Sequence, residues 1–355
     1  MTEYRLIVPG TSQFRDVTSQ QFEKFSKDTI VFVCPVKHLS CFAEYICSLG
    51  IFSFVALYNR TSFEESVQKF SQMPATFVFT PLLIGPHSSR YQYASCAKNF
   101  ILLNSEQATS DRLKPILRYV FDGGKLIDYS PINRKLWQKA CLSQSAASNE
   151  TLTKFSSTSC FLPYGFANTE ESVRLKQLVA ETEKLFDFVF VGSMTPRRTE
   201  LIDKLRLVGG FTVVCLHPNS TLSNSGDKRD QIIAQARVLL NIHAQDDFDV
   251  YESIRCERWR RAGMPILSET CLDMPAGKHC RNILFVDFVS LDSCQNMSQY
   301  LQRLLNTTVG PGDYSEGELY SSDVDWPDSD HAIDRVNHLV GRTIKPIPLI
   351  VEKVD

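Results

Sequence analysis

Three short stretches of the sequence carry glycine, polar or charged residues in patterns suited to binding a phosphorylated ligand. In the first, an apolar run ends in Gly192 and Ser193. Arg197 and Arg198 follow at the expected start of a helix. A glycine turn lets a ligand approach the backbone, and the free N–H groups of a helix N-terminus attract phosphate. Two arginines supply further donors for phosphate oxygens. The alternative is an ordinary strand-to-helix turn with surface arginines.

A second stretch places polar side chains at the end of an apolar strand. Asn241 and His243 alternate there, so their side chains point to the same face. Ligands of open α/β sheets bind at the carboxyl ends of the strands, which makes this pair a candidate for ligand contact. A structural histidine with satisfied hydrogen bonds is the alternative.

The third stretch has Glu252 and Arg255 three residues apart, on one face of a predicted helix. Arg255 can neutralise a diphosphate, and Glu252 can accept hydrogen bonds from sugar or ribose hydroxyls. A following strand, predicted over 264–267, brings Ser268 and Glu269 to the same edge of the sheet. Standing alone, the spacing of Glu252 and Arg255 favours an ordinary salt bridge within the helix.

Other charged residues around the third stretch have simpler interpretations. An acidic loop is predicted to begin the helix that carries Glu252, because negative charge stabilises a helix N-terminus. Its members are Asp246, Asp247 and Asp249. Later residues of the helix favour a partly solvated helix face over a binding patch, and these are Arg258, Trp259, Arg260 and Arg261.

Apolar runs and helical periodicity alternate along the first half of the chain. Strands are predicted at 4–8, 30–34, 52–58, 75–80 and 99–103, and helices at 40–49, 62–72 and 112–121. Such alternation is typical of βαβ units with a mostly parallel sheet. We therefore expect an α/β domain over residues 1–170.

A Ser/Thr/Asn-rich stretch at 143–159 precedes a second α/β pattern. Strands are predicted at 186–191, 211–216, 238–242, 264–267 and 283–286, and helices at 196–208, 230–236, 249–262 and 297–305. The pattern predicts a second domain over 171–330, followed by a helix and tail over 331–355 that pack back on the first domain. The expected fold class is α/β, with two Rossmann-like domains facing across a cleft.

The composition excludes several classes of protein. The 355 residues carry 38 Lys and Arg against 40 Asp and Glu, which excludes a dedicated polybasic binder of nucleic acid or membranes. No apolar run approaches the roughly 18 residues that span a bilayer, and the first residues lack a signal-peptide pattern. We therefore expect a cytoplasmic protein with no membrane span. Eleven cysteines without a CxxC pair favour reduced thiols over a zinc site.

The charge is divided unevenly between the two halves. Residues 1–165 contain 17 Lys and Arg against 12 Asp and Glu, whereas residues 166–355 contain 21 against 28. Two domains with different ligands would show this asymmetry, and scatter in surface charge would show it equally.

In order and spacing, the three stretches resemble the donor-binding domain of GT-B glycosyltransferases. The resemblance is to the broad family 1 and spore-maturation-type group, whose pattern runs strand-Gly-Ser…Arg-Arg, Leu-Asn-x-His, Glu-x-x-Arg and Gly-x-Pro-φ-φ-Ser-Glu. It implies a nucleotide-sugar donor, commonly UDP-linked, held without a metal or other cofactor. The donor-binding residues that it implies are Gly192, Ser193, Arg197, Arg198, Asn241, His243, Glu252, Arg255, Ser268 and Glu269.

The amino-terminal half resembles the same group more loosely. Segments 103–107, 127–133 and 162–165 are similar to the group's "LEQ", "DYSxxN" and "PxGY" segments, although the first carries Asn-Ser-Glu before its Gln. The resemblance implies that any base for the acceptor hydroxyl lies in this half. The catalytic candidates are Asp128, Glu106 and His87.

The acceptor and the activity itself stay open at this point. Phage DNA glucosyltransferases share this size and two-domain build, so the acceptor hydroxyl belongs to a glycan, a protein or a hydroxylated base in DNA. A third hypothesis is a non-catalytic module that binds nucleotide sugars. The intact set of Arg and Glu residues argues against a module that has lost its catalytic activity.

Overall fold

The computed structural model shows an α/β protein with two sheets of mainly parallel strands. It describes residues 4–7, 14–17, 27, 29–35, 54–58, 68, 70–80, 94, 98–105, 107, 110–144, 157–162, 169–207, 210–217, 226–246, 248, 250–272, 282–286, 288, 299 and 339. The α/β class predicted from the alternation of strands and helices is confirmed. The chain divides into two compact units, Met1–Asn168 with Pro327–Asp355, and Thr169–Trp326.

Eight strands among the described residues form the sheet of the first unit. They are β1 (Tyr4–Ile7), β2 (Phe14–Val17), β3 (Ile30–Pro35), β4 (Phe54–Tyr58), β5 (Thr76–Phe79), β6 (Phe100–Asn104), β7 (Lys125–Asp128) and β8 (Ser159–Phe161). Their order is β2-β1-β4-β3-β5-β6-β7-β8. β1 pairs antiparallel with β2 and β4, and the other pairs are parallel. The carboxyl ends of β3 to β8 therefore share one edge.

Buried aromatic side chains fill the core around the middle of this sheet. Phe70 stacks on Phe77 with ring centroids 4.5 Å apart, and Phe79 meets Phe100 edge to face at 4.7 Å. Both β5 and β6 are buried along their whole length, as expected of parallel strands covered on both faces. Two helices follow in the chain, α1 (Ser110–Phe121) and α2 (Pro131–Gln144).

The second unit has a parallel sheet and four helices among its described residues. The strands are β9 (Phe186–Val191), β10 (Val213–Leu216), β11 (Ala236–Asn241), β12 (Ile266–Glu269) and β13 (Ile283–Val286), in the order β10-β9-β11-β12-β13. The helices are α3 (Thr169–Glu181), α4 (Pro196–Leu207), α5 (Gly226–Ala234) and α6 (Ser253–Arg261).

Alternate residues of the second sheet feed two separate cores. Phe188 packs in a cluster with Ile202 of α4, whereas its neighbour Val189 packs in a cluster with Trp259 of α6. Successive side chains of a strand point to opposite faces, so a strand covered on both sides must be apolar throughout. Burial of both faces of the sheet thus holds in position the strands whose carboxyl ends carry the candidate site.

Two element boundaries differ from the prediction at residues that matter for the site. The helix predicted over 249–262 begins at Ser253, and Glu252 is its N-cap residue instead of a member of its first turn. The strand predicted over 264–267 begins at Ile266 and runs through Glu269. The backbone N–H of Met264 still donates to a helix carbonyl, that of Trp259, at 3.0 Å. The turn out of α6 therefore extends to Met264 and delays the strand.

Several elements arise where the sequence pattern predicts none. For α2 a local signal exists, because the Ser130 hydroxyl accepts hydrogen bonds from the N–H groups of Ile132 and Asn133, and Pro131 occupies the first helical position.

The helices predicted at 40–49 and 297–305 lie outside the described residues, apart from residue 299, and the helix predicted at 62–72 is described only at its end. Of the helices in the described ranges, none is long and apolar enough to cross a bilayer.

Candidate functional site at the carboxyl edge of the second sheet

The carboxyl edge of the second sheet brings together the residues predicted to bind the donor. Strands β9, β11 and β12 are neighbours and run parallel, so their carboxyl ends lie side by side. Gly192 follows β9, while Asn241 ends β11 and Glu269 ends β12. The other candidates lie in these strands, directly after them, or at the starts of α4 and α6: Ser193, Arg197, Arg198, His243, Glu252, Arg255 and Ser268.

Gly192 makes the turn out of β9 in a conformation that suits glycine. Its φ is +155°, and its N–H donates to the carbonyl oxygen of Leu216 at 3.1 Å. An added Cβ would lie 3.1 Å from Phe190 Cζ and 3.4 Å from Arg255 Nη2. Glycine therefore lets the Arg255 guanidinium lie directly against the backbone of the turn.

We expect Gly192→Ala to weaken the nucleotide binding that the resemblance implies at least tenfold, because the new methyl group crowds Arg255 as well as straining the backbone. Gly210→Ala is the matched control. Gly210 also has positive φ (+65°), but an added Cβ there meets no non-neighbouring atom of the described residues within 4 Å. Both variants should lose about 1 to 3 kcal/mol of unfolding free energy. Calorimetric titration with UDP distinguishes the two variants. Equal affinity of both variants for UDP would contradict the crowding of Arg255.

Arg198 is buried and holds three parts of the edge together. Its Nη1 donates to the Ser193 carbonyl oxygen and its Nε to the Ile242 carbonyl oxygen, each at 2.9 Å. Its Nη2 lies 3.3 Å from Glu252 Oε1. Burial, together with the nearby Arg255 charge, lowers the pKa of Arg198 to about 10, so it is cationic at neutral pH. Because these donors face protein oxygens, Arg198 positions the turn and Glu252. The predicted direct contact with phosphate finds no support in this geometry.

The Arg197 side chain points in a different direction from that of Arg198 and forms a bidentate ion pair with Glu269. Nη1 lies 2.9 Å from Oε2 and Nη2 lies 2.5 Å from Oε1. Hydrogen bonding to Glu269 raises the pKa of Arg197 above its usual range. Arg197 Nε also donates to Asp246 Oδ1. The prediction that Asp246 begins a helix is wrong, because it lies in a turn and its carboxylate is a partner of Arg197.

Arg255 and Glu252 form a partly exposed ion pair next to the glycine turn. Arg255 Nη2 pairs with Glu252 Oε2, and Arg255 Nη1 lies 3.5 Å from Asn241 Oδ1. Their side chains are 13% and 18% exposed. The Arg255 guanidinium carbon also lies 5.3 Å from the centre of the Phe190 ring, a cation–π contact that fixes its position.

Asn241 and Ser268 tie the ends of β11 and β12 together inside the protein. Asn241 Nδ2 donates to Ser268 Oγ at 3.0 Å, and that hydroxyl donates to the carbonyl oxygen of Glu269 at 2.8 Å. Both residues are fully buried. We therefore assign them a positioning role behind Arg255, where the sequence predicts ligand contact.

His243 is buried just beyond β11, between acidic and basic neighbours. Its Nδ1 lies 4.0 Å from Glu269 Oε2, and its backbone N–H donates to the same carboxylate. Burial lowers the pKa of His243, an effect that the charges of Arg255 and Arg197 reinforce and those of Glu252 and Glu269 oppose. The ring is therefore neutral at pH 7. Its Nε2 has no hydrogen-bond partner in the described part of the chain.

Ser253 is a polar residue of this edge that the sequence analysis misses. It is the first residue of α6 and is buried, and within the described ranges its hydroxyl has no hydrogen-bond partner. The available signal was its position directly after Glu252, at the start of the helix that carries Arg255. Serine is common at helix starts, so that signal alone does not mark a ligand contact.

Among the described residues of the edge, the paired charges balance each other. Three guanidinium groups, from Arg197, Arg198 and Arg255, pair with three carboxylates, from Glu252, Glu269 and Asp246. An anionic ligand must therefore displace a carboxylate from an arginine. Within the described residues, no group of three or more His, Cys, Asp or Glu side chains is placed to hold a metal ion.

The residues further along α6 divide between the interior and the surface, since Arg258 and Trp259 are buried whereas Arg260 and Arg261 are half-buried. Arg258 is buried and donates to both carboxylate oxygens of Asp230, at 2.7 and 2.8 Å. Glu257 is likewise buried and pairs with Arg260 and Arg261. The prediction of a partly solvated face is therefore wrong at Arg258 and Trp259 and agrees with the half-buried Arg260 and Arg261. Arg258 ties α6 to α5.

Asp128, a candidate catalytic base, is a fully buried hub in the first unit. Its Oδ2 accepts hydrogen bonds from Asn104 Nδ2 and Trp137 Nε1, both at 2.8 Å. Its Oδ1 accepts hydrogen bonds from the Ser130 N–H and Asn133 Nδ2. The carboxylate thus joins β6, β7 and α2, and no acceptor hydroxyl reaches it in this arrangement. The geometry supports a structural role and gives the catalytic one no support.

We expect the stability of the protein to fall as the pH rises from about 4 to 6, through Asp128. Burial outweighs its hydrogen bonds and raises the pKa of Asp128 from 3.8 to about 6. The folded state then holds a proton that the unfolded state has lost, so the loss is up to about 3 kcal/mol across this window. Asp128→Asn removes the titration. Urea unfolding of both proteins from pH 4 to 7 should show a smaller decline in the variant, and parallel declines would contradict the shifted pKa.

The other two catalytic candidates, Glu106 and His87, lie outside the described residues. Two neighbouring strands of the first sheet nevertheless end in hydroxyl residues, Thr80 after β5 and Ser105 after β6. Both hydroxyls are buried and have no hydrogen-bond partner in the described part of the chain. They are the polar groups at this edge that the sequence analysis does not single out.

Three proteins of Acanthamoeba polyphaga mimivirus are similar to the chain. Uncharacterized protein L140 is 34% identical over 172 residues, 48% of this chain and 49% of L140. Uncharacterized protein L137 is 31% identical over 216 residues, 58% of this chain and 26% of L137. Uncharacterized protein L138 is 34% identical over 172 residues, 48% of this chain and 17% of L138. The chain therefore spans about half the length of L140 and less of the other two. No protein-family model matches it.

Proposed function

We propose that the protein is a glycosyltransferase that moves a sugar from a nucleotide-sugar donor, a UDP-sugar in the first instance, to an acceptor hydroxyl. The observation that carries the proposal is the Arg255–Glu252 pair, which lies against the Gly192 turn at the carboxyl edge of the second sheet. An arginine beside a glycine turn suits a diphosphate, and a carboxylate next to it suits the hydroxyls of ribose or sugar. The order of these residues along the chain supports the same activity, because it resembles the GT-B pattern.

In this proposal the diphosphate replaces Glu252 as the partner of Arg255. Asn241 and the Phe190 ring keep the Arg255 guanidinium in place during the exchange. Arg198 holds Glu252 through Oε1, so the other carboxylate oxygen, Oε2, becomes free to accept hydrogen bonds from hydroxyl groups. One exchange thus prepares a cation for the phosphates and an acceptor for the sugar or ribose.

The transfer step breaks the bond between the sugar and the diphosphate. The bonding electrons leave with the nucleoside diphosphate, and the Arg255 charge stabilises the negative charge that develops there. The acceptor oxygen forms the new bond to the sugar, and its proton passes to a phosphate oxygen of the departing nucleoside diphosphate or to water. Asn241 and the Phe190 ring already hold the guanidinium in position, so this stabilisation requires little reorganisation of Arg255.

The first unit supplies the acceptor side in this proposal, as in the two-domain GT-B architecture of Rossmann-like domains facing across a cleft. Its carboxyl edge is the part that we propose to contact the acceptor. The cytoplasm is the proposed location, since nucleotide sugars are the substrates.

The proposal is tested with a panel of nucleoside diphosphates and their sugars, beginning with UDP and UDP-glucose. A donor present at 100 times its Kd should stabilise the protein by about 2.7 kcal/mol, which a thermal-shift measurement detects. The same donor should be hydrolysed slowly without acceptor, releasing nucleoside diphosphate. A panel that produces no shift and no release would overturn the proposal.

The acceptor class is read from the same assay with acceptors added. Faster release with an oligosaccharide or protein, at rates insensitive to salt, would identify a glycan or protein acceptor. Transfer to hydroxymethylated DNA with steep salt dependence would identify a DNA acceptor. A thermal shift without any hydrolysis or transfer would contradict the enzyme and indicate a binding module.

A further inference from the structure

Two buried polar atoms next to the Arg255–Glu252 pair have no hydrogen-bond partner in the part of the chain that the structure describes. They are the hydroxyl oxygen of Ser253 and Nε2 of His243. Each residue is only 3% exposed. Folded proteins rarely leave such atoms unpaired, because burial costs the hydrogen bonds that water would have made. Unpaired atoms beside a proposed binding site therefore point to a ligand that pairs with them.

The two residues belong to the same small region of the edge. Ser253 follows Glu252 directly and begins the helix that carries Arg255. His243 directly follows Ile242, whose carbonyl oxygen accepts a hydrogen bond from the same Arg198 side chain that contacts Glu252. Glu269 and Arg197 are among the charged groups that act on the ring.

The hydrogen-bonding capacity of Ser253 and His243 determines which kind of ligand atom can pair with them. Glu269 lies on the Nδ1 side of the imidazole, which favours the proton on Nδ1 and leaves Nε2 as an acceptor. The Ser253 hydroxyl both donates and accepts. A ligand hydroxyl can donate to Nε2 and also bond to Ser253. A phosphate oxygen offers no proton, so it would leave Nε2 unpaired.

We infer that Ser253 and His243 recognise a hydroxyl group of the nucleotide-sugar donor and so help to determine which donor binds. This inference rests on the proposed function. Arg255 then takes the diphosphate, and the uncharged pair takes a hydroxyl of either the ribose or the transferred sugar. The two roles follow from charge, because Arg255 is cationic whereas Ser253 and His243 are uncharged.

Ser253→Ala tests the inference through two opposite effects. The free variant should melt a few degrees higher than the wild type, since a methyl group replaces an unpaired buried hydroxyl. Its affinity for UDP-glucose should fall about tenfold, measured by calorimetric titration. Ser268→Ala is the matched control, because the Ser268 hydroxyl has two partners and its loss should lower the melting temperature.

Three probes locate the recognised hydroxyl, namely UDP, 2′-deoxy-UDP and UDP-glucose. A weaker affinity for UDP in Ser253→Ala, with no further loss for 2′-deoxy-UDP, identifies the ribose. A weaker affinity for UDP-glucose alone identifies the transferred sugar. Wild-type affinity of Ser253→Ala for all three probes would overturn the inference and leave the proposed function standing. Failure of the wild type to bind any donor of the panel would overturn the proposed function itself.

Discussion

Arg255→Ala is expected to lower kcat/KM for sugar transfer by a factor of about 100 to 1,000. The variant loses the cation that pairs with the diphosphate in the ground state and stabilises the leaving group as the bond breaks. It should still fold, because Glu252 keeps its contact with Arg198 and the Phe190 ring remains packed beneath Arg198. Release of nucleoside diphosphate gives kcat and KM, and circular dichroism verifies the fold.

Arg261→Ala is the matched control for that experiment. Arg261 lies on the same helix and is similarly exposed, but it pairs with Glu257 away from the candidate site. Its loss should leave kcat/KM within about twofold of the wild type. Arg255→Lys should recover only part of the activity, because lysine keeps the charge without the planar fork of donors. Wild-type kcat/KM in Arg255→Ala would contradict the role of this arginine.

Asp230→Ala is expected to destabilise the protein by about 3 to 5 kcal/mol, the largest effect on stability that the structure indicates. Asp230 is 1% exposed and accepts two hydrogen bonds from the buried guanidinium of Arg258. Removing the carboxylate leaves that guanidinium buried without its counter-ion. Urea unfolding of the variant and the wild type at pH 7 measures the difference.

The Asp230 pair also predicts a loss of stability in acid. Burial alone would raise the pKa of Asp230, but hydrogen bonds and charge from Arg258 lower it to about 2. A depressed pKa in the folded state stabilises the protein above about pH 4, and this contribution disappears as the pH falls towards 2. Asp230→Ala should lack that decline.

Arg174→Ala separates the buried pair from its exposed neighbour. Arg174 also contacts Asp230, at 2.9 Å, but its side chain is 46% exposed. An exposed ion pair contributes at most about 1 kcal/mol, so this variant should unfold close to the wild type. A loss in Asp230→Ala no larger than in Arg174→Ala would contradict the importance of burial.

The meeting of the candidate residues at one edge could be predicted because it depends on local pattern. Apolar runs identify the strands, and parallel strands joined by helices must end on the same side of their sheet. Residues that directly follow β9 and β11 were therefore bound to lie near each other. The resemblance to GT-B enzymes rests on the same residues and their spacing in the chain.

The division of roles among the arginines could not be predicted from the sequence. Arg197 and Arg198 are adjacent, but successive residues of an α-helix point about 100° apart. One guanidinium therefore turns inward to backbone carbonyls while the other meets Glu269. Which one faces inward depends on how α4 packs against its sheet, and that is set by residues far away in the chain.

The first unit shows the same limit at Asp128. The Asp-x-Ser spacing and the proline that follows indicate a capped helix start, which explains two of the donors to its carboxylate. The contribution of Asn104 comes from a neighbouring strand 24 residues away and has no local signal. Asp128 lies in a segment that only resembles one of the GT-B group, and in the structure hydrogen-bond donors surround its carboxylate.

Hydrogen exchange with a bound donor tests the central claim most directly, because it locates the nucleotide sugar on the chain. With UDP-glucose or the donor that the panel identifies, we expect slower exchange of the backbone amides at 192–198 and 253–256. The Arg255→Ala variant should lose this protection at the same donor concentration. Protection confined to other segments, or none at a saturating donor concentration, would contradict a nucleotide-sugar site at the carboxyl edge of the second sheet.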